Sequence, residues 1–148
     1  MNRKTITKIL FILYCIVMLW LLFGQRIGRS NDLPYITQLK DNLNLIPFKT
    51  ICRYFVNMSN QSFLFEAVKN LAGNIILFIP LGMIPQIWKS QQRFTRYFLT
   101  VAVVIICVEV TQLFTLLGAC DIDDLILNLL GATAGFFLDR KRHIKIQT

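Results

Sequence analysis

Apolar residues along this chain fall into four runs, each too continuous to be one face of an ordinary soluble helix. The first covers about residues 6–23, interrupted only by Thr7 and Lys8 at its start. The second covers about 71–88, the third 97–117 and the fourth 124–138. Roughly 20 apolar residues in helical form cross a hydrocarbon core of ~30 Å. The pattern therefore predicts an all-α integral membrane bundle of about four transmembrane helices. The fourth run is short for a span, so its flank at residues 121–123 dips below the headgroups or the bilayer thins around it. Residues 1–148 read as a single membrane domain.

The long segment between the first two runs, residues 24–70, is not a polar linker. Ile51, Tyr54, Phe55 and Met58 recur at helical spacing, followed by Phe63, Leu64, Phe65 and Val68. With Lys49, Arg53 and Lys69 interleaved, this predicts an outer loop made of one or two amphipathic helices in the membrane interface. A loop packed over the bundle gives almost the same pattern.

Composition agrees with the runs. Apolar residues make up 55% of the chain and charged residues 16%, against about 25% charged in ordinary soluble domains. Mean hydropathy is +0.54. Charge then gives the bundle a direction. Arg3, Lys4 and Lys8 precede the first run, Lys89, Arg93 and Arg96 separate the second from the third, and Arg140, Lys141, Arg142 and Lys145 follow the fourth. Four spans put all three segments on one side, which the positive-inside rule assigns to the cytoplasm. The expectation is a multi-pass protein of the cell membrane with both termini cytoplasmic. A cleaved signal peptide is the alternative for the first run, but Leu22-Phe23-Gly24-Gln25-Arg26 has no small-x-small cleavage site. The net charge of +8 calls for no nucleic acid, since basic residues meeting anionic lipid account for it.

His143 stands alone in the basic tail, so no Ser/His or Cys/His constellation is available. Cys15 and Cys107 fall in apolar runs, where Cys acts as a small hydrophobe. Cys52 and Cys120 both map outside, and their spacing establishes no disulfide.

The polar residues inside the apolar sequence carry the candidate chemistry. Glu109, Gln112, Asp121, Asp123, Asp124 and Asn128 fall within twenty residues. A charge near the bilayer centre costs ~2.5–3.5 kcal/mol even on the lenient insertion scale, so such residues face a bundle interior. Glu109 and Gln112 share a helix face at i, i+3, and Asp124 and Asn128 share one at i, i+4. Gly131 and Gly135 extend the second face as a GxxxG stripe, a pattern that suits close helix packing. Asn74 begins a further set, with Phe78, Pro80, Gly82 and Pro85 after it. Proline frees backbone carbonyls that neighbours must compensate, and Gly82 leaves room for a close neighbour. Asn74, Glu109, Gln112, Asp124 and Asn128 converge on the outer half of the membrane, with Asp121 and Asp123 at the rim. One of these acids, Asp123 before the others, is expected to cap the helix that follows.

Such a cluster can bind Mg²⁺ or Ca²⁺ through oxygen ligands. It can instead place carboxylates so that they raise one another's pKa and act as acid and base. It can also recognise a cationic or hydroxyl-rich headgroup, or serve only as a structural polar network. No cofactor is expected, and metal binding stays open.

Three blocks in this order resemble the VanZ-like family. They are Asn44-Leu-Ile-Pro-Phe48, the Asn74-x-x-x-Phe78-x-Pro80-x-Gly82 pattern, and Glu109-x-x-Gln112 followed by Asp121-Ile-Asp-Asp124-x-x-x-Asn128-x-x-Gly131. Together they cover roughly residues 40–138, and the last block is the most specific. The resemblance implies a small bacterial multi-spanning membrane protein, in a family whose founding member is associated with low-level teicoplanin resistance. By matched position it carries over Asn44, Pro47, Phe48, Asn74, Pro80, Gly82, Glu109, Gln112, Asp121, Asp124, Asn128 and Gly131. Many members place an Arg three or four residues before the first Asp of the last block, where this chain has Leu117 and Gly118. Arg53 or Lys49 would have to supply that charge here.

The candidate site is therefore Asn44, Asn74, Glu109, Gln112, Asp121, Asp123, Asp124 and Asn128. The expected function is a cell-envelope protein that lowers sensitivity to teicoplanin-type lipoglycopeptides through an outer-leaflet polar site. Its expected partner is a membrane lipid or a lipid-linked cell-wall intermediate, with the glycopeptide drug itself as another candidate. The alternative is a membrane enzyme acting on a lipid-linked substrate through its carboxylates. A small transporter is a third reading and would require an oligomer.

Overall fold

The bilayer offers no partner for backbone N–H and C=O groups, so apolar runs that enter it close their hydrogen bonds internally as helices. The computed structural model describes residues 3–24, 27, 32–57, 59–88 and 93–147. Met58, Lys89, Arg26 and Arg29, and the side chains of Arg3, Lys4, Pro85, Lys141, Arg142, His143 and Lys145, lie outside the described set. The order is α1 (Arg3–Phe23), α2 (Tyr35–Asp41), β1 (Leu43–Asn44), α3 (Lys49–Val56), α4 (Gln61–Trp88), α5 (Phe94–Thr115), β2 (Cys120–Asp121) and α6 (Ile122–Gln147).

Lipid is as apolar as leucine, so close packing and hydrogen bonds, rather than the hydrophobic effect, hold such helices together. The closest pair is α4 with α6. A Cβ on Gly131 would run into the Ile75 carbonyl, one on Gly135 into the Ile79 carbonyl, and one on Gly82 into the α6 backbone at Ala132–Phe136. Positions rise together along both helices, so α4 and α6 run parallel. The GxxxG stripe and Gly82 thus form the backbone-to-backbone contact that their sequence pattern suggests.

α5 runs antiparallel to both and completes the core. Phe78, Tyr97, Val101, Ile105, Ala132 and Phe136 are its buried members. Tyr97 stacks on Phe136 with ring centroids 4.7 Å apart, and its hydroxyl donates to the Ala132 carbonyl (3.1 Å). α1 leans on this core more lightly. The Tyr14 hydroxyl donates to the Leu77 carbonyl (2.7 Å), just before Pro80 interrupts the α4 ladder. Leu10, Ile12, Leu13, Ile16, Val17, Leu19 and Trp20 of α1 are all exposed. Such a continuous apolar surface needs lipid for solvent, and the protein is an all-α membrane bundle.

Three helices, not the expected four, are long and apolar enough to cross a membrane: Thr5–Phe23, Gln61–Met83 and Phe94–Thr115. α6 falls short because Asp123, Asp124, Asn128 and Asp139 interrupt its apolar run. Neighbouring helices cover much of it instead, with Leu127, Asn128, Gly131, Ala132, Gly135 and Phe136 all buried. The outer loop is also shorter than expected. Phe63, Leu64, Phe65 and Val68 are not a separate interfacial helix but the first turns of α4, since no breaker lies between Gln61 and Leu71. The break comes earlier, where the Asn60 side-chain oxygen accepts the Ser62 N–H (3.0 Å) and starts α4. Only α3 remains as a separate amphipathic helix after Asn44. All four cysteines are free thiols.

Candidate functional site

The polar residues gather at one end of the bundle, where α1 and α5 end and α4 and α6 begin. A pair of two-residue strands organises them. β1 and β2 run parallel with Leu43 opposite Cys120 and Asn44 opposite Asp121, and the Cys120 N–H donates to the Asn42 carbonyl (2.8 Å). After β1 the chain turns sharply at Phe48, whose φ of 63° is left-handed. That turn aims the open N-terminus of α3 at the start of α6.

Asp123 meets it there. One carboxylate oxygen accepts the Phe48 N–H, and the other accepts the N–H groups of Thr50 (2.8 Å) and Ile51 (3.1 Å). The first N–H groups of a helix have no partner within it, so Asp123 caps α3 from another helix and is itself fully buried. It does not cap its own helix, as the sequence led us to expect. Asp121 does that, accepting the Asp123 N–H (2.9 Å). The difference arises from the Phe48 turn, a tertiary feature that local spacing does not report.

Asp121 is the hub of a second layer. Its carboxylate accepts the Thr50 hydroxyl (2.6 Å) and the Asn44 amide (3.2 Å), while that amide also donates to the Thr50 hydroxyl (3.1 Å). The Asp121 N–H donates to Glu109 Oε2 (3.3 Å). Glu109, Asp121 and Asp123 are all buried, so Asn44, Glu109, Asp121 and Asp123 form a closed network that ties α3, α5 and α6 together.

The remaining polar residues open onto space. A cleft of about 520 Å³ lies between the end of α1, the starts of α4 and α6 and the loop after α5. Asn74, Gln112 and Asp124 line it, together with the polar Tyr54, Glu66, Lys69 and Asn70 and the apolar Leu21, Leu22, Leu77 and Leu117. Asn74 donates to an Asp124 carboxylate oxygen (2.6 Å), and Gln112 donates to the Leu22 carbonyl (2.7 Å), fixing the end of α1. Gly118 leaves the space that the Gln112 side chain fills. Asn128 belongs to neither group. It is buried one turn below Asp124, and its Oδ1 has no hydrogen-bond partner among the described residues.

Burial pushes the Tyr54 phenol up, with Arg53 opposing and Asp124 and Glu66 adding to the shift. Burial also pushes the Cys120 thiol up, reinforced by the carboxylates of Glu109 and Asp121. Among the described residues no group of three or more His, Cys, Asp or Glu side chains is placed to hold a metal ion.

Sequence reasoning missed Thr50, Tyr54, Glu66, Lys69 and Asn70. Thr50, Glu66 and Asn70 carried no local signal. Tyr54 and Lys69 were read as parts of an amphipathic surface. Leu117 and Gly118, the positions where the resemblance pointed to an Arg, lie in the cleft wall. Lys69, rather than Lys49 or Arg53, is the lysine in that wall.

The VanZ/LLP1 family profile matches residues 11–140. Protein VanZ of Enterococcus faecium is 26% identical over 135 residues, which cover 91% of this chain and 74% of that protein. No solved structure matches the chain.

Proposed function

This chain belongs to the VanZ/LLP1 family, and from that membership we propose a cell-envelope protein that lowers sensitivity to teicoplanin-type lipoglycopeptides through its polar cleft. The observation that carries the reading is the cleft itself, open at one end of a membrane bundle and lined by Asn74, Gln112 and Asp124. α1 ends at that opening and α6 begins there, so the start of α1 and the end of α6 both lie at the opposite end. Lys8, Arg93, Arg96 and Arg140 lie toward that opposite end, and the positive-inside rule assigns it to the cytoplasm. Both termini are then cytoplasmic and the cleft faces the outer leaflet.

Its partner there is a membrane lipid or a lipid-linked cell-wall intermediate. A lipoglycopeptide anchors an acyl tail in the outer leaflet, so a protein that engages that layer affects teicoplanin and spares vancomycin. The alternative, an enzyme working through its carboxylates, has less support, because Asp121 and Asp123 already accept several donors each.

The test is the inhibitory concentration of both drugs against a susceptible Gram-positive host expressing the chain. Wild type should raise the teicoplanin value alone, and Asp124→Asn at matched membrane level should lose the rise. Equal protection by the variant would remove the cleft from the account.

A further inference from the structure

The cleft lining has a charge arrangement that selects among headgroups. Two carboxylates, Glu66 and Asp124, share the wall with one ammonium, Lys69. Asn70 stands beside them with its Oδ1 buried and without a partner among the described residues. Glu66, Asp124 and Tyr54 all line the cleft, and both carboxylates add to the upward push on the Tyr54 phenol. The Arg53 guanidinium already stands over the Tyr54 ring, 5.7 Å from its centroid. With Lys69 the region therefore pairs two cations with two carboxylates and can take a ligand that carries both charges. Glu66, Asp124 and the Asn70 oxygen suit an ammonium carrying several N–H groups, and Lys69 suits an anionic group beside it. Leu21 and Leu22 from α1 and Leu77 from α4 add apolar surface to the same lining.

We propose that the cleft binds an amphiphile whose headgroup carries a primary ammonium next to an anionic group, as in an aminated phospholipid. The ammonium sits among Glu66, Asn70 and Asp124, the anionic group lies toward Lys69, and the acyl chain follows the leucines between α1 and α4. This ligand class deepens the functional reading above and rests on the same cleft. Gly73 supplies an independent handle. It lines the cleft, and a Cβ built on it meets nothing within 4 Å. A large side chain there fills the cavity without displacing backbone.

The test uses the purified full-length chain in mild detergent and short-chain lipids, with affinity read by native mass spectrometry. The probes are dioctanoyl phosphatidylethanolamine, its N-acetylated derivative, dioctanoyl phosphatidylglycerol and free O-phosphoethanolamine. The amine-bearing lipid should bind at least about tenfold tighter than the N-acetylated lipid and phosphatidylglycerol, since losing one charge-assisted hydrogen bond is worth that factor. It should also bind at least about tenfold tighter than free O-phosphoethanolamine, which has no acyl chain to bury. Asp124→Asn should erase most of the preference, and Gly73→Trp should abolish binding while keeping the wild-type thermal midpoint. Equal binding of phosphatidylglycerol would overturn the ammonium assignment, and equal binding of free O-phosphoethanolamine would overturn the lipid assignment. Undiminished binding to Gly73→Trp would place the lipid outside the cleft. No drug or cell enters this measurement, so the ligand class can fail while the resistance reading stands, and the reverse.

Discussion

Asp123 and Asp124 are neighbours in sequence and opposites in setting. Asp123 is fully buried and accepts three backbone N–H groups from the start of α3. Asp124, about 100° further round the helix, is partly exposed, bonded to Asn74, and lines the cleft. One polar cluster in the sequence is thus two regions in space. The first is a closed network that assembles one end of the bundle; the second is an opening that the first holds in shape. An acid in an apolar stretch is not automatically a working acid.

The sharpest way to break this comparison is Asp123→Ala. Three N–H groups at the start of α3 would lose their acceptor, which should cost roughly 3 kcal/mol or more. Thermal midpoint and monodisperse yield in detergent check this, and a wild-type midpoint would show that the closed network is not structural. Glycines give a second contrast. Gly131→Val drives side-chain atoms into the Ile75 carbonyl and should cost about 1–3 kcal/mol or more. Gly73→Ala meets open space and should stabilise α4 by up to ~1 kcal/mol. If both moved the midpoint in the same direction, the α4–α6 contact would need another explanation.

Asp124→Asn should be milder for the fold, within roughly 1–2 kcal/mol, since interhelical hydrogen bonds in membranes are worth about that or less. A larger loss would move Asp124 into the closed network. The smallest effect is kinetic. With the Cys120 pKa raised, less thiolate is present at neutral pH. In single-cysteine variants Cys120 should react with maleimide more slowly than the exposed Cys52 and accelerate as pH rises. Equal rates would mean that the region behind the cleft is open to solvent.

Much of the architecture is legible in the sequence because it is local or periodic. Apolar run lengths give α1 and α5 within a few residues, and the Gly131–Gly135 spacing marks the face that meets α4. The i, i+3 spacing of Glu109 and Gln112 places both on the buried side of α5. What escapes depends on contacts distant in the chain. The cap that Asp123 provides for α3 needs the left-handed turn at Phe48, 75 residues away. Glu66 and Asn70 join the cleft only because α4 begins at Gln61 rather than near Leu71. The fourth apolar run has the look of a short span, but Asp123, Asp124 and Asp139 bring three charges into its helix, and α6 is not among the helices long and apolar enough to cross a membrane.

The most direct measurement is teicoplanin protection per unit of membrane protein, compared between Asp124→Asn and Thr50→Val. Thr50→Val removes a donor from Asp121 in the closed network and leaves the cleft lining intact. The account predicts that Thr50→Val loses protection only in proportion to lost protein, while Asp124→Asn loses it at wild-type protein level. Full protection by Asp124→Asn, or loss by Thr50→Val at undiminished level, would contradict the division of the cluster into a scaffold and a site.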